Sequence, residues 1–332
     1  MTEKHKQLSK FALRILITTG LLAFVFVQID FSQFFKSLNK AIWPCVLAAW
    51  FVVILSIFVQ SFKLRYILKK QDFDSSILSL FRVSAISFLY SLVIPGPLAT
   101  GVKWYMLKKN TGKGATVLSS MVYNQYTDLA VILVFGLSAI IAFSPTATLT
   151  PDSPRKYYLP VAAGVMLLIF ILFSSLLFNK RFGNVAMEFS RKLLKLLPHK
   201  FRKDATSLLE QVAFFQIAGF GFHATSVLLS IIGSLIPIIL MYYFSAMAAH
   251  IQIGLGLIVW ISALVYILGR LPISIANLGV REMTLVEFLK LYGVEPSSAF
   301  LMSMIIFSCI IIMAAIGAVY QVAWAFGPKP RQ

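Results

Sequence analysis

Apolar runs long enough to cross the ~30 Å hydrocarbon of a bilayer as helix recur along the chain, at 11–27, 42–62, 78–94, 115–143, 158–178, 222–244, 251–269 and 299–326. Such a series excludes a soluble globular fold. It predicts an all-α, polytopic integral membrane bundle of about eight hydrophobic segments, a single transmembrane domain over 1–332. With 59% of its residues hydrophobic and 13% charged, the sequence leaves no polar stretch for a separate catalytic domain. The longest polar interval, 179–220, carries Phe182, Val185, Phe189, Leu193, Leu196 and Leu197 at helical spacing among Lys and Arg. That pattern predicts a cytoplasmic amphipathic connector lying against anionic headgroups, or a solvated loop with the same charge.

The net charge of +18 follows from topology rather than from nucleic acid, because the basic residues fall between apolar spans, where cytoplasmic loops favour Lys and Arg. Met1–Lys10 is basic, but the run after it continues into Gln28, Ile29 and Asp30 without a small-residue cleavage pattern, so 11–27 is expected to be the first membrane helix. With the N-terminus inside, the loops 63–77 and 179–220 are cytoplasmic and 28–41 faces out. A full crossing at 78–94 would then place Lys103, Lys108, Lys109 and Lys113 outside. A turn at Pro95-Gly96-Pro97 with a return through 102–109 keeps them inside. The turn-rich 144–154 loop reaches solvent. Cys45 and Cys309 sit far apart in apolar runs, without the spacing of a metal site or disulfide framework.

A second break lies at 271–282, LPISIANLGVRE, between two apolar segments. Unpaired backbone in hydrocarbon costs several kcal/mol, so this stretch is expected to be buried in protein or to line a cavity, entering from outside through 251–269 and returning through 280–291. The two breaks resemble each other. Tyr90 matches Tyr266, Pro95 matches Pro272, Gly101-Val102-Lys103 matches Gly279-Val280-Arg281, Gly112 matches Gly293, and Ser120-Met121 matches Ser303-Met304. Repeat one spans about 78–143 and repeat two about 251–326. Re-entrant elements of opposite sense in two halves are the sequence mark of inverted-repeat transporters, with the substrate near the midplane.

The stretch NLGVREMTLVEFLKLYGVEPSSA at 277–299, with Gly279-Val280-Arg281-Glu282 and Tyr292-Gly293-Val294 its most specific parts, resembles the membrane domain of the lysylphosphatidylglycerol synthase/flippase family. The resemblance covers nearly the whole chain. It implies a flippase-like domain in a bacterial-type cytoplasmic (inner) membrane that moves lipids between leaflets. The first turn departs from the family's Gly-rich, acid-bearing form, with Pro97, Ala99 and Thr100 in it, and Gln125 stands where the family tends to have Arg. No counterpart of the synthase's aminoacyl-transfer domain is seen, so transport rather than synthesis is expected.

Asp128 is the one acid well inside an expected span, preceded by Tyr123, Asn124, Gln125 and Tyr126. Its readings are proton coupling, headgroup binding, or an interhelical hydrogen bond that fixes packing. Arg281 and Glu282 open the helix after the second break. There Arg281 can present a fork to phosphate, or pair with Glu282 to hold the loop. Lys103, Asn277 and Arg270 complete the expected substrate-binding set. His223 and His250 end one span, too far apart to share a metal, and no cofactor, metal or catalytic residue is expected. The function expected is translocation of an anionic phospholipid or a polyprenyl-phosphate-linked lipid. The alternatives are an integral-membrane glycosyl or lipid transferase using Glu282, Glu287 and Glu295, and a non-transporting partner of envelope-lipid biosynthesis proteins.

Overall fold

A computed structural model describes residues 27–28, 30–92, 94, 96–145, 157–178, 214–270 and 274–326. Nearly all of the expected first span 11–27, most of the 144–154 loop, the 179–213 part of the connector, Pro95, Pro272, Lys329 and Arg331 lie outside the described residues. The described residues form a polytopic bundle of α1 (Phe31–Asn39), α2 (Trp43–Lys69), α3 (Ile77–Ser91), α4 (Gly96–Thr111), α5 (Gly114–Phe143), α6 (Tyr158–Phe178), α7 (Phe220–Ala248), α8 (Leu255–Leu268), α9 (Val280–Lys290) and α10 (Pro296–Phe326). Among them α2, α5, α6, α7 and α10 are long and apolar enough to cross a membrane, while α3 and α8 are shorter apolar helices.

Two expected boundaries move. The 28–41 interval is not a plain loop, because the Asp30 carboxylate accepts from the amides of Ser32 and Gln33 and starts α1. The expected 63–77 loop loses its first seven residues to α2, which begins at a proline-favoured first turn and runs on to Lys69. The reason is packing: Leu64, Ile67 and Leu68 are fully buried against Leu80, Val83, Leu107 and Val117 or the neighbouring aromatic cluster. Lys63 is therefore inside the helix and buried.

Long helices pair antiparallel. The Ile42 amide donates to the Ala248 carbonyl, Ser56 Oγ to the Gly233 carbonyl, and Tyr66 stacks on Phe222 at 5.4 Å, so α2 and α7 run in opposite directions along their whole length. The same holds for α5 with α8 and for α3 with α10, each of the latter pairs joining the first helix of one hairpin to the long helix after the other. Lys113 Nζ reaches the Asp72 carbonyl, so hairpin α3–α4 enters and returns at the end where α2 finishes. Ser297 Oγ reaches the Asp30 carbonyl and His250 the Lys40 carbonyl, so hairpin α8–α9 enters and returns at the opposite end. The bundle thus contains two re-entrant hairpins of opposite sense. α4 ends at Gly112 (φ +72) and the turn after α9 is at Gly293 (φ +78), a matched pair of left-handed residues.

The reciprocal crossings are both glycine on alanine. A Cβ on Gly136 would lie 2.5 Å from the Ala263 Cβ, and one on Gly317 would strike the Ala85 carbonyl. Close backbone approach at small residues is how helices associate without a hydrophobic drive between them. Gly136→Val or Gly317→Leu is expected to cost at least about 1–3 kcal/mol through overpacking, read as a lower unfolding temperature in detergent. An unchanged melting curve for Gly317→Leu would contradict this packing.

Candidate functional site

The second break owes its shape to three residues of positive φ, Ala276 (φ 50) and Asn277 (φ 60) within a 3-10 turn at Ile275–Asn277 and Gly279 (φ 83) just after it. The turned Gly279 amide meets Glu282 Oε2 at 2.6 Å, which caps the first turn of α9. Glu282 Oε1 accepts from Arg281 and, at 3.0 Å, from Ser303 Oγ on α10, while Arg281 Nε donates to that same hydroxyl at 2.9 Å. Phe307 covers the guanidinium at 5.0 Å. Arg281 is 2% exposed and Glu282 not at all, so the pair is a buried lock between the break and α10.

The first break differs. Gly101, matched in sequence to Gly279, lies in mid-helix, and Lys103 sits two turns into α4 rather than at a helix start. Lys103 also lacks the lock: among the described residues it makes no ion pair, although Asp128 is near enough to act on it electrostatically. Ser120, the match of Ser303, hydrogen-bonds Gln71 at 3.3 Å instead.

Asp128 is not the isolated acid that the sequence suggests. Its Oδ1 accepts from Lys63 Nζ at 2.8 Å and from Ser234 Oγ at 2.7 Å, and Lys63 also donates to the Asn124 carbonyl at 3.1 Å. Lys63 is 0% and Asp128 4% exposed. Ser234 is placed by a π turn, Ile231–Leu235, in the middle of α7, whose Gly233 carbonyl takes hydrogen bonds from Ser56 and Gln60. Such π turns interrupt helices at functional sites more often than elsewhere. Lys63 and Ser234 are not among the residues that the sequence marks. A signal for Lys63 exists, since a carboxylate inside a span needs a partner and an apolar LxxIL pattern follows Lys63 in α2.

The polar residues before Asp128 do not form one patch, because successive helix positions point about 100° apart. Tyr123 OH meets His223 Nδ1 at 2.7 Å, within a stack of Phe215 and Phe222. Tyr126 OH donates to Ser174 of α6 at 2.9 Å. Asn124 and Gln125 turn with Asp128 toward the space between the hairpins, and Tyr126 also borders it.

That space consists of two adjoining cavities, which share Gln60, Thr100, Gln125 and Arg270 in their walls. The smaller, of about 200 Å³, is lined by Lys103, Asn124, Gln125, Asp128 and Arg270 among others. The larger, of about 960 Å³, is mainly apolar, with Gln125, Tyr242, Tyr266, Arg270, Asn277 and Arg281 among the polar residues of its wall. Seven of the eight residues singled out from sequence therefore line this space, and Glu282 lines neither cavity. Arg270 lies over the Tyr266 ring at 4.5 Å and donates to its hydroxyl.

The acids at the far end are dispersed. Glu287 accepts from Gln28 at 2.7 Å, Glu282 is committed to its lock, and Glu295 is exposed beyond α9. No group of three or more His, Cys, Asp or Glu is placed to hold a metal among the described residues.

A family model described as the lysylphosphatidylglycerol synthase TM region matches residues 11–318. No curated protein matches the chain, and no solved structure does.

Proposed function

Because the chain belongs to the family of the lysylphosphatidylglycerol synthase TM region, we propose that this multi-pass membrane protein moves a phosphate-bearing lipid, an anionic phospholipid or a polyprenyl-phosphate-linked one, between leaflets. The observation that carries the reading is the paired cavity between two oppositely directed hairpins, polar and cationic on one side and apolar on the other. Phosphate sits between Lys103 and Arg270, while the larger space accommodates the first part of the apolar chains. Arg281 holds the second hairpin in register through Glu282 and Ser303 and leaves the phosphate to the two other cations. The end bearing Lys69, Lys70, Lys108, Lys109 and Lys113 is assigned to the cytoplasm by its charge, with the N-terminus on the same side. The membrane is the cytoplasmic (inner) one, and enzymes of envelope-lipid synthesis are natural suppliers or users of the cargo.

Reconstitution in vesicles with a fluorescent phosphatidylglycerol tests the reading, with outer-leaflet label quenched by dithionite. Translocation well above protein-free vesicles is expected. The double variant Lys103→Gln/Arg270→Gln is expected to slow it by roughly tenfold or more for each charge-assisted hydrogen bond to phosphate that it removes. Vesicles no faster than protein-free controls would reject the reading.

A further inference from the structure

Helix α1 has nine residues, about 14 Å at the usual rise, and both of its ends are fixed at the mouth of the bundle. Ser297, at the start of α10, donates to the carbonyl of Asp30 just before α1, at 3.4 Å. The His250 ring, just past the end of α7, meets the carbonyl of Lys40 just after α1, at 2.8 Å. Since α7 and α10 are long and apolar enough to cross the membrane, α1 lies across the ends of membrane helices, in the plane where hydrocarbon gives way to headgroups.

Its residues sort by face. Phe34 and Leu38, four apart, turn to the bundle, and the Phe34 ring lies 5.4 Å from that of Phe300 on α10. Phe31 and Phe35, also four apart, stand roughly 60° further round the helix, and they are 48% and 58% exposed. The apolar face is thus wider than the bundle covers. Ser32, Lys36 and Lys40 hold the other side and are exposed, and neither lysine is in an ion pair among the described residues. Whatever covers the two phenylalanines has to be apolar at their level and anionic just beyond it, where the lysines reach. A phospholipid leaflet presents that order at this height, and short helices with an apolar and a basic face lie along it.

We propose that α1 is an interfacial helix, seated through Phe31 and Phe35 in the leaflet at the end of the bundle remote from Lys69 and Lys113, with Lys36 and Lys40 toward the lipid phosphates. The seat is separate from the central cavities, since no residue of α1 lines them, and it holds whatever the cargo. It also touches the second hairpin. Gln28, two residues before Asp30, donates to Glu287 of α9 at 2.7 Å, so one short segment joins the leaflet to the returning helix.

Nitroxide labels on single cysteines test the seat, in a Cys45→Ala/Cys309→Ala background and in nanodiscs of phosphatidylcholine and phosphatidylglycerol. Labels replacing Phe31 and Phe35 are expected to collide several-fold more with oxygen, which concentrates among acyl chains, than with a nickel chelate, which stays in water. Labels replacing Ser32 and Lys36 are expected to show the reverse. Nickel access at Phe31 and Phe35 equal to that at Ser32 and Lys36 overturns the proposal. Shielding of Phe31 and Phe35 from both reagents also overturns it, since a second copy or a partner protein then covers them. Phe35→Trp in the otherwise unchanged chain gives the reading without a label: the added emission is expected to be quenched by lipids brominated near the top of the acyl chain. Quenching of it by acrylamide instead puts α1 in water and overturns the seat.

Discussion

Asp128→Leu is expected to destabilise the protein by about 3–5 kcal/mol, Lys63→Met by a similar amount, and the two together by much less than their sum. Each single change leaves one charge in a place that water barely reaches, Lys63 being 0% and Asp128 4% exposed. Removing both takes away the charge and its need for a partner. A residual deficit of about 1–3 kcal/mol belongs to Ser234, whose hydroxyl loses its acceptor. Denaturant titration of the four proteins in mixed micelles gives the coupling. If the double variant is as unstable as the two singles added, the pair is not the unit described. The same variants separate two roles of Asp128. A stable double variant that still transports makes the pair structural, and a stable one that does not transport makes the carboxylate part of the cycle. Asp128→Asn alone answers neither question, since it strands Lys63.

The fold was legible where length and polarity decide it. Spans follow from apolar runs, and the first hairpin follows from Lys103, Lys108, Lys109 and Lys113, which a full crossing at 78–94 would place outside. What escaped depends on which way a side chain points. Lys63 counts as a loop charge in any tally of basic residues, although Leu64, Ile67 and Leu68 carry the helix past it. Ser303 appears in the repeat alignment only as a matched letter, yet it bridges both members of the Arg281–Glu282 pair. Gly136 and Gly317 have no local pattern to mark them, because what makes them glycines is a partner helix more than a hundred residues away. The polar residues marked in the sequence, Glu282 apart, line one space for a simpler reason. A polar side chain in an apolar segment has few places to go, and a cavity between broken helices is the main one.

Glu282→Gln is expected to be the most damaging conservative change in the second hairpin, at about 3–5 kcal/mol. The replacement keeps the shape but not the acceptors. Oε2 holds the Gly279 amide at 2.6 Å, and Oε1 serves both Arg281 and Ser303. A glutamine offers one oxygen for these tasks and turns its amide protons toward a guanidinium that is 2% exposed. Either the left-handed turn at Gly279 loses its cap, or Arg281 is left as a buried charge without a counterion. Ser303→Ala removes one hydroxyl and is expected to cost only about 1 kcal/mol. Arg281→Lys keeps the charge but not the fork that reaches Ser303 and Glu282 together, so its loss should fall between the two. Unfolding in detergent gives this order directly. Because Arg281 lines the larger cavity from the locked position, translocation should fall in the same order as stability if the lock is its main task. Arg281→Lys near full stability but without transport would instead make the guanidinium a direct contact of the cargo phosphate.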